Sequence, residues 1–112
     1  MPGRRNRWTE EELDALSQPP RPGEVWWCDG RALALTDGGK MRPVLVVGVS
    51  GGTARVLPLT SQKPEGAPTQ VAHRAGTSWL IYREPESISV RDLTAPLGTW
   101  SGYAAWRRAA RL

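Results

Sequence analysis

A chain of 112 residues makes one domain with a modest core and leaves no room for two. Twelve Gly, ten Pro, six Trp and no Phe suit short strands and turns better than a helical bundle, while one Cys and one His exclude an internal disulfide and a zinc cluster. The formal charge of +4 is concentrated at the end of the chain, where Arg107, Arg108 and Arg111 stand without an acid, a mild pointer to a polyanionic partner.

Basic and acidic residues alternate at the N-terminus with no apolar stretch of the signal-peptide kind, so a cytoplasmic protein is expected. No apolar run is long enough to span a bilayer, and no membrane partner is expected. Thr9-Glu10-Glu11-Glu12 is a capping box ahead of Leu13 and Leu16, with its acids at the positive end of the helix dipole. It predicts a helix of about two turns that needs the body of the protein to stabilise it. Pro19-Pro20-Arg21-Pro22-Gly23 ends that helix stiffly. The chain thus divides into an N-terminal arm, 1–22, and a body, 23–112.

Glu24-Val25-Trp26-Trp27-Cys28-Asp29 reads as a first strand. Val25 and Trp27 share one face and Trp26 and Cys28 the other, so neither face is polar. The apolar surface left over predicts a homodimer. Cys28 reads as a small buried hydrophobe rather than a nucleophile. Gly30–Lys40 is a long loop carrying Asp37-Gly38-Gly39.

The centre of the chain is Gly38–Thr60. Val44-Leu45-Val46-Val47 is short, β-branched and bounded by glycines, the pattern of a strand buried on both faces. Ser50-Gly51-Gly52 is a tight-turn signal, and Thr53–Leu59 returns as the second strand of a hairpin. Arg42 opens this hairpin and Thr60-Ser61 close it. With Gly51-Gly52 as a two-residue loop, Ser50 pairs with Thr53 and Arg42 falls opposite Ser61, so Thr60 points to the other face. A three-residue loop or one bulge returns Arg42 and Thr60 to a common face. Pro58, with no N–H for a ladder, is the expected place for that bulge.

Gln62–Thr69 is a polar, Pro/Gly-containing connection. Thr69–Arg74, Ser78–Arg83 and Ile88–Val90 are predicted strands, and Pro96–Gly98 is expected to break the chain. Ser101 is expected to cap a C-terminal helix that packs Tyr103, Ala104 and Trp106 and carries its arginines outward. Many short strands with closely spaced turns and one terminal helix predict a small, strongly bent β-barrel.

For chemistry, the chain offers no acidic pair at Mg²⁺-binding spacing, and Gly51-Gly52 lacks the spacing and the Lys-Ser/Thr of a phosphate-binding loop. His73 reads as a solvent-facing strand residue. What remains is Arg42 and Thr60, placed by the hairpin. A guanidinium is a planar fork matched to phosphate oxygens and always charged. Beside a hydroxyl it can hold a phosphodiester and stabilise charge that builds on it. RNA brings its own nucleophile, the 2′-hydroxyl, so such a site needs neither a serine nucleophile nor a metal.

Three blocks then stand out: Pro22-Gly23-Glu24-Val25-Trp26-Trp27, Gly39-Lys40-Met41-Arg42-Pro43-Val44-Leu45-Val46-Val47, and Val56-Leu57-Pro58-Leu59-Thr60-Ser61-Gln62. In order and spacing they resemble the MazF/PemK family of toxin ribonucleases. The resemblance implies a mainly β, SH3-like barrel with a C-terminal helix, to which the helix at Thr9 is an addition. It further implies a homodimer and metal- and cofactor-independent, sequence-specific cleavage of single-stranded RNA, leaving a 2′,3′-cyclic phosphate. A cognate antitoxin would fill the RNA groove with an acidic segment, disordered until it binds.

Carried over by residue, Arg42 matches the family's catalytic arginine and Thr60 its catalytic threonine. Asp37 stands where some members have an assisting acid. Lys40, Ser61 and Gln62 flank the pair and are expected to contact RNA. Glu86 and Ser87, in the place of the family's Asp-Gln pair, are expected to do the same. Ser89 stands where some members have a functional arginine. Two other functions stay open on the same barrel: a non-catalytic toxin of the gyrase-poisoning kind, and a binding module that has lost cleavage.

Overall fold

The computed structural model describes residues 19–34, 39–81 and 84–110. Asp37 and the helix expected at Thr9–Leu16 lie outside the described residues. Seven strands form one curled antiparallel sheet: β1 Glu24–Cys28, β2 Arg42–Ser50, β3 Thr53–Thr60, β4 Gln70–His73, β5 Gly76–Leu80, β6 Glu86–Ser89 and β7 Leu93–Thr99. One helix, α1, follows at Tyr103–Ala110. The order across the sheet is β4-β5-β3-β2-β1-β7, with β6 also paired to β3. The sheet curls far enough for its two end strands to meet, where the Arg74 N–H donates to the Leu97 carbonyl at 2.9 Å.

The central strands are apolar on both sides because both sides are covered. Trp26, Cys28, Val44, Val46, Ala54, Val56, Ile88 and Leu93 pack into one core. Val25, Leu45, Val47, Leu57, Leu59, Val71, Leu80 and Leu97 pack into a second, closed by Trp27, Trp100 and the α1 residues Tyr103 and Trp106. Burying such side chains is worth about 1.5–3 kcal/mol each. The alternation expected for Val25–Cys28 is therefore present, but the surface expected to remain over for a partner is consumed within the chain. Among the described residues, the large exposed hydrophobic is Met41, at 47%.

The hairpin of β2 and β3 has the two-residue loop, with Ser50 paired to Thr53. The bulge falls not at Pro58 but in β2: Val46 pairs with Val56 and Gly48 with Arg55, leaving Val47 as the extra residue. Its surroundings explain the position. Gly23 N–H donates to the Val46 carbonyl at 2.8 Å, and the Tyr103 hydroxyl makes a long hydrogen bond, 3.4 Å, to the Val47 carbonyl. Both carbonyls at the irregularity thus find partners outside the hairpin, as buried backbone groups require. Gly23 has φ +95°, and a Cβ there would lie 2.9 Å from the Tyr103 ring. Only glycine brings the chain under that ring comfortably. Pro58 instead sits where β3 changes neighbours, from β6 (Val56 paired with Glu86) to β5 (Leu59 paired with Leu80).

Four further expectations are corrected. Pro96–Gly98 does not break the chain but lies within β7, an end strand where a residue without an N–H is tolerated. The strand expected at Ser78–Arg83 begins earlier, at Gly76, and the one at Ile88–Val90 is Glu86–Ser89, followed by a 3₁₀ turn. In α1, Arg107 does not point outward alone: its Nη1 donates back to the Tyr103 hydroxyl at 3.3 Å. No described helix is long and apolar enough to cross a membrane.

Candidate active site

The bulge at Val47 sets the site. Beyond it the ladder runs Val46–Val56, Leu45–Leu57, Val44–Pro58. Two further steps along this register bring Arg42 level with Thr60, and residues opposite each other in an antiparallel pair share a face. Both line a cleft of about 500 Å³ at the open end of the hairpin, with Lys40, Ser61 and Gln62 on the same wall. His73, Ala75, Thr77 and Ser78, from β4, β5 and the turn between them, line the cleft as well.

Arg42 is half-buried, and its Nη1 donates to the Leu59 carbonyl at 2.8 Å. That bond fixes the plane of the guanidinium, whose five donors are rigidly coplanar. Thr60 Oγ1 accepts from the Gln62 N–H at 3.1 Å, a local turn that holds the hydroxyl while its own O–H can still donate. Lys40 and Arg42 are the charged groups among the described lining residues, so the cleft presents positive charge.

The approach to β2 is held by the 3₁₀ turn Gly30–Ala32. Asp29 accepts from the Arg31 N–H at 3.0 Å and pairs with the Arg31 guanidinium at 2.7 Å. Those hydrogen bonds hold the Asp29 carboxyl down at about 2. A Cβ on Gly30 would lie 2.1 Å from the Lys40 carbonyl, so the turn lies directly on the backbone that leads into Arg42.

Cys28 pairs with Arg42 across β1 and β2 but is fully buried. Burial, and after it the charges of Asp92, Asp29 and Glu86, push its thiol up to about 12. A thiol with so little thiolate is a packing residue, as the sequence suggested.

Glu86 and Ser87 do not join the others. They lie on β6, opposite Val56 and Arg55, and do not line the cleft. Glu86 Oε1 accepts the Ala34 N–H at 2.8 Å, which ties the loop after β1 to β6.

Sequence reasoning missed His73 and Ser78. His73 is half-buried in the cleft, not solvent-facing, and its Nε2 lies 2.8 Å from Ser78 Oγ. Ala75 N–H donates to His73 Nδ1 at 3.2 Å, so Nδ1 holds the lone pair and the neutral ring carries its proton on Nε2. Burial lowers the pKa of the ring, which favours that neutral form. The signal was available in the alternation, since His73 shares a strand face with the core residue Val71. Trp27, which packs against the second core, also reaches the cleft wall.

Comparison with known proteins completes the picture. No curated protein matches the chain. Residues 21–103 match the family described as PemK-like, MazF-like toxin of type II toxin–antitoxin system. That span runs from the turn under Tyr103 to the start of α1 and contains every cleft residue named above. The chain is a member of the PemK/MazF family of type II toxins.

Proposed function

We propose that this toxin is a metal-independent endoribonuclease that cuts single-stranded RNA sequence-specifically, by attack of the 2′-hydroxyl on the adjacent phosphate. The observation that carries the reading is the placement of Arg42 and Thr60 on one cleft, with the guanidinium pinned to Leu59 and the hydroxyl set by Gln62. In this mechanism the 2′-oxygen bonds to phosphorus, the bond to the 5′-oxygen breaks, and that oxygen leaves with a proton. A 2′,3′-cyclic phosphate remains.

Arg42 holds the non-bridging oxygens and stabilises their growing charge. Thr60 donates a neutral hydrogen bond to the same group. Asp37, in the loop five residues before Arg42, assists proton transfer. Lys40, Ser61 and Gln62 bind the flanking RNA. Catalysis resides in an SH3-like barrel domain, 23–112, with 1–22 as an appended arm, and the working form is a cytoplasmic homodimer, a reading that rests on the family resemblance and not on leftover apolar surface. A type II toxin is paired with an antitoxin. Here its acidic, initially disordered segment occupies the cationic cleft around Lys40 and Arg42.

The test is direct. Purified protein is incubated with a long single-stranded RNA in EDTA, and the fragment ends are analysed. Discrete fragments ending in 2′,3′-cyclic phosphate are expected. RNA left intact, whether or not it is bound, would overturn the enzymatic reading in favour of a non-catalytic toxin.

A further inference from the structure

The cleft contains one built polar feature that the proposed chemistry does not use. β4 and β5 form a hairpin in which His73 pairs with Gly76 and Val71 with Ser78. Residues two apart on a strand share a face, so His73 and Ser78 both lie on the face that Val71 turns to the second core. Ser78 is buried at 3% exposure, which for a hydroxyl demands a hydrogen-bond partner. His73 supplies it.

The direction of that bond decides what the pair can do. Nδ1 is occupied as an acceptor by the Ala75 N–H, so Nε2 carries the proton and donates it to Ser78 Oγ. A histidine in this tautomer cannot take a proton from Ser78, and the pair is no nucleophile–base dyad. A hydroxyl that accepts from Nε2–H presents its own hydrogen to whatever enters the cleft. The pair is therefore a fixed, uncharged donor.

Lys40, Arg42 and the Thr60 hydroxyl line the same cleft. Phosphate oxygens are best served there, by charged donors. A neutral donor sunk in the β4–β5 part of the lining suits a neutral acceptor that arrives with little water, which for RNA is a base carbonyl. A cleft of about 500 Å³ has room for a nucleotide. Resting on the ribonuclease reading above, we infer that Ser78, positioned by His73, is a specificity-determining residue that donates its hydroxyl hydrogen to a carbonyl oxygen of a nucleobase beside the scissile phosphate. Uracil, cytosine and guanine carry such an oxygen and adenine does not, so the contact disfavours adenine at that position.

The experiment maps cleavage ends on a long RNA of mixed sequence, using the full-length chain in EDTA. The wild type is expected to disfavour adenine at one position next to the cut. Ser78→Ala and His73→Leu should each reduce that discrimination by about tenfold, the value of one neutral hydrogen bond, while still cleaving. His73→Gln, whose side-chain amide can donate where Nε2–H did, should restore it. A merely structural role for His73 would change total cleavage and leave the base preference alone. If Ser78→Ala fails to fold, Ser78→Cys, similar in shape and a much weaker donor, is read in the same way. Unchanged base preferences in a folded, active Ser78 variant overturn the inference and leave the ribonuclease reading standing. Intact RNA with the wild-type chain overturns both.

Discussion

Arg42 reaches across the mouth of the hairpin to donate to the Leu59 carbonyl at 2.8 Å, and it can do so because of a residue five positions further along its strand. Val47 is the one unpaired residue of the β2–β3 ladder. Without it, the register would put Arg42 opposite Ser61 and turn Thr60 to the other side of the sheet. The bulge is in turn held by Gly23 and Tyr103. A packing arrangement at the far end of the sheet therefore sets the geometry of the cleft.

Tyr103→Phe tests that link. The ring still packs on the second core, and two long hydrogen bonds are lost, one to the Val47 carbonyl and one from Arg107 Nη1, each worth about 0.5–1.5 kcal/mol. The melting temperature should fall by a few degrees, on the order of 4–8 °C per kcal/mol for a domain of this size. Differential scanning calorimetry of the two proteins checks it, and an unchanged or raised melting temperature would show that Tyr103 does not hold the bulge.

Gly30→Ala should be more damaging. Its Cβ would meet the Lys40 carbonyl at 2.1 Å, so the backbone before Arg42 must shift. Overpacking of this sort costs about 1–3 kcal/mol, and the displaced Arg42 should lower RNA cleavage further than the stability loss explains. Thermal melts and cleavage rates measured below the transition separate the two effects. Wild-type values in both would show that the turn does not position the site.

His73 gives the fold a pH dependence of definite sign. Burial lowers its folded pKa below the ordinary 6.5, whereas the unfolded chain keeps the ordinary value. Between those two values the unfolded state binds more protons, so stability rises with pH. The contribution is complete above about 6.5 and is lost as the pH falls through the folded pKa. Melting temperatures taken between about pH 7.5 and 5.5 should drop more steeply for the wild type than for His73→Gln. Parallel slopes would show that the ring titrates as if exposed.

Cys28 should resist thiol reagents in the native protein. With its pKa at about 12 and no exposed surface, it offers almost no thiolate at pH 8. A disulfide-exchange reagent such as Ellman's should label it only after unfolding in guanidinium. Prompt labelling of the native chain would mean that the first core opens readily.

The elements that the sequence showed best were those with local signals. Val44–Val47 reads as a strand buried on both faces from its β-branched run, and of the two loops the glycines allow the two-residue one is found, with Ser50 paired to Thr53. The faces of Val25–Cys28 follow from alternation, and the structure places them as the alternation says. What was illegible depended on partners distant in sequence. Pro58 and Pro96 both look like interruptions, yet one marks a change of strand neighbours and the other lies on an end strand. Gly48 is a local sign of a bulge beside Val47, but the Gly23 and Tyr103 contacts that hold it are distant in sequence. His73 looked exposed because its sequence neighbours are polar, although its alternation with the core residue Val71 pointed inward. Glu86, expected to contact RNA, lies on β6 outside the cleft lining, with its Oε1 bonded to the Ala34 N–H.

Thr60→Ala should impair cleavage without abolishing it, because a neutral hydroxyl is a weaker hydrogen-bonding partner than a guanidinium. It should also loosen Ser61-Gln62, since the Gln62 N–H loses its acceptor. A rate loss of about tenfold is expected in a single-turnover assay. A loss equal to or greater than that of the Arg42 variant would reverse the roles given to the two residues.

The mechanism stands or falls on Arg42→Lys. Lysine keeps the positive charge but replaces the coplanar fork by three N–H groups diverging from one nitrogen, so it cannot match two phosphate oxygens side by side as a guanidinium does. The substitution lies at a strand end, outside both cores, and circular dichroism should show a folded protein. Cleavage of a long single-stranded RNA in EDTA, compared with the wild type under single-turnover conditions, should slow by about two to three orders of magnitude. A folded Arg42→Lys protein that cuts at the wild-type rate would contradict the catalytic role of the Arg42–Thr60 cleft.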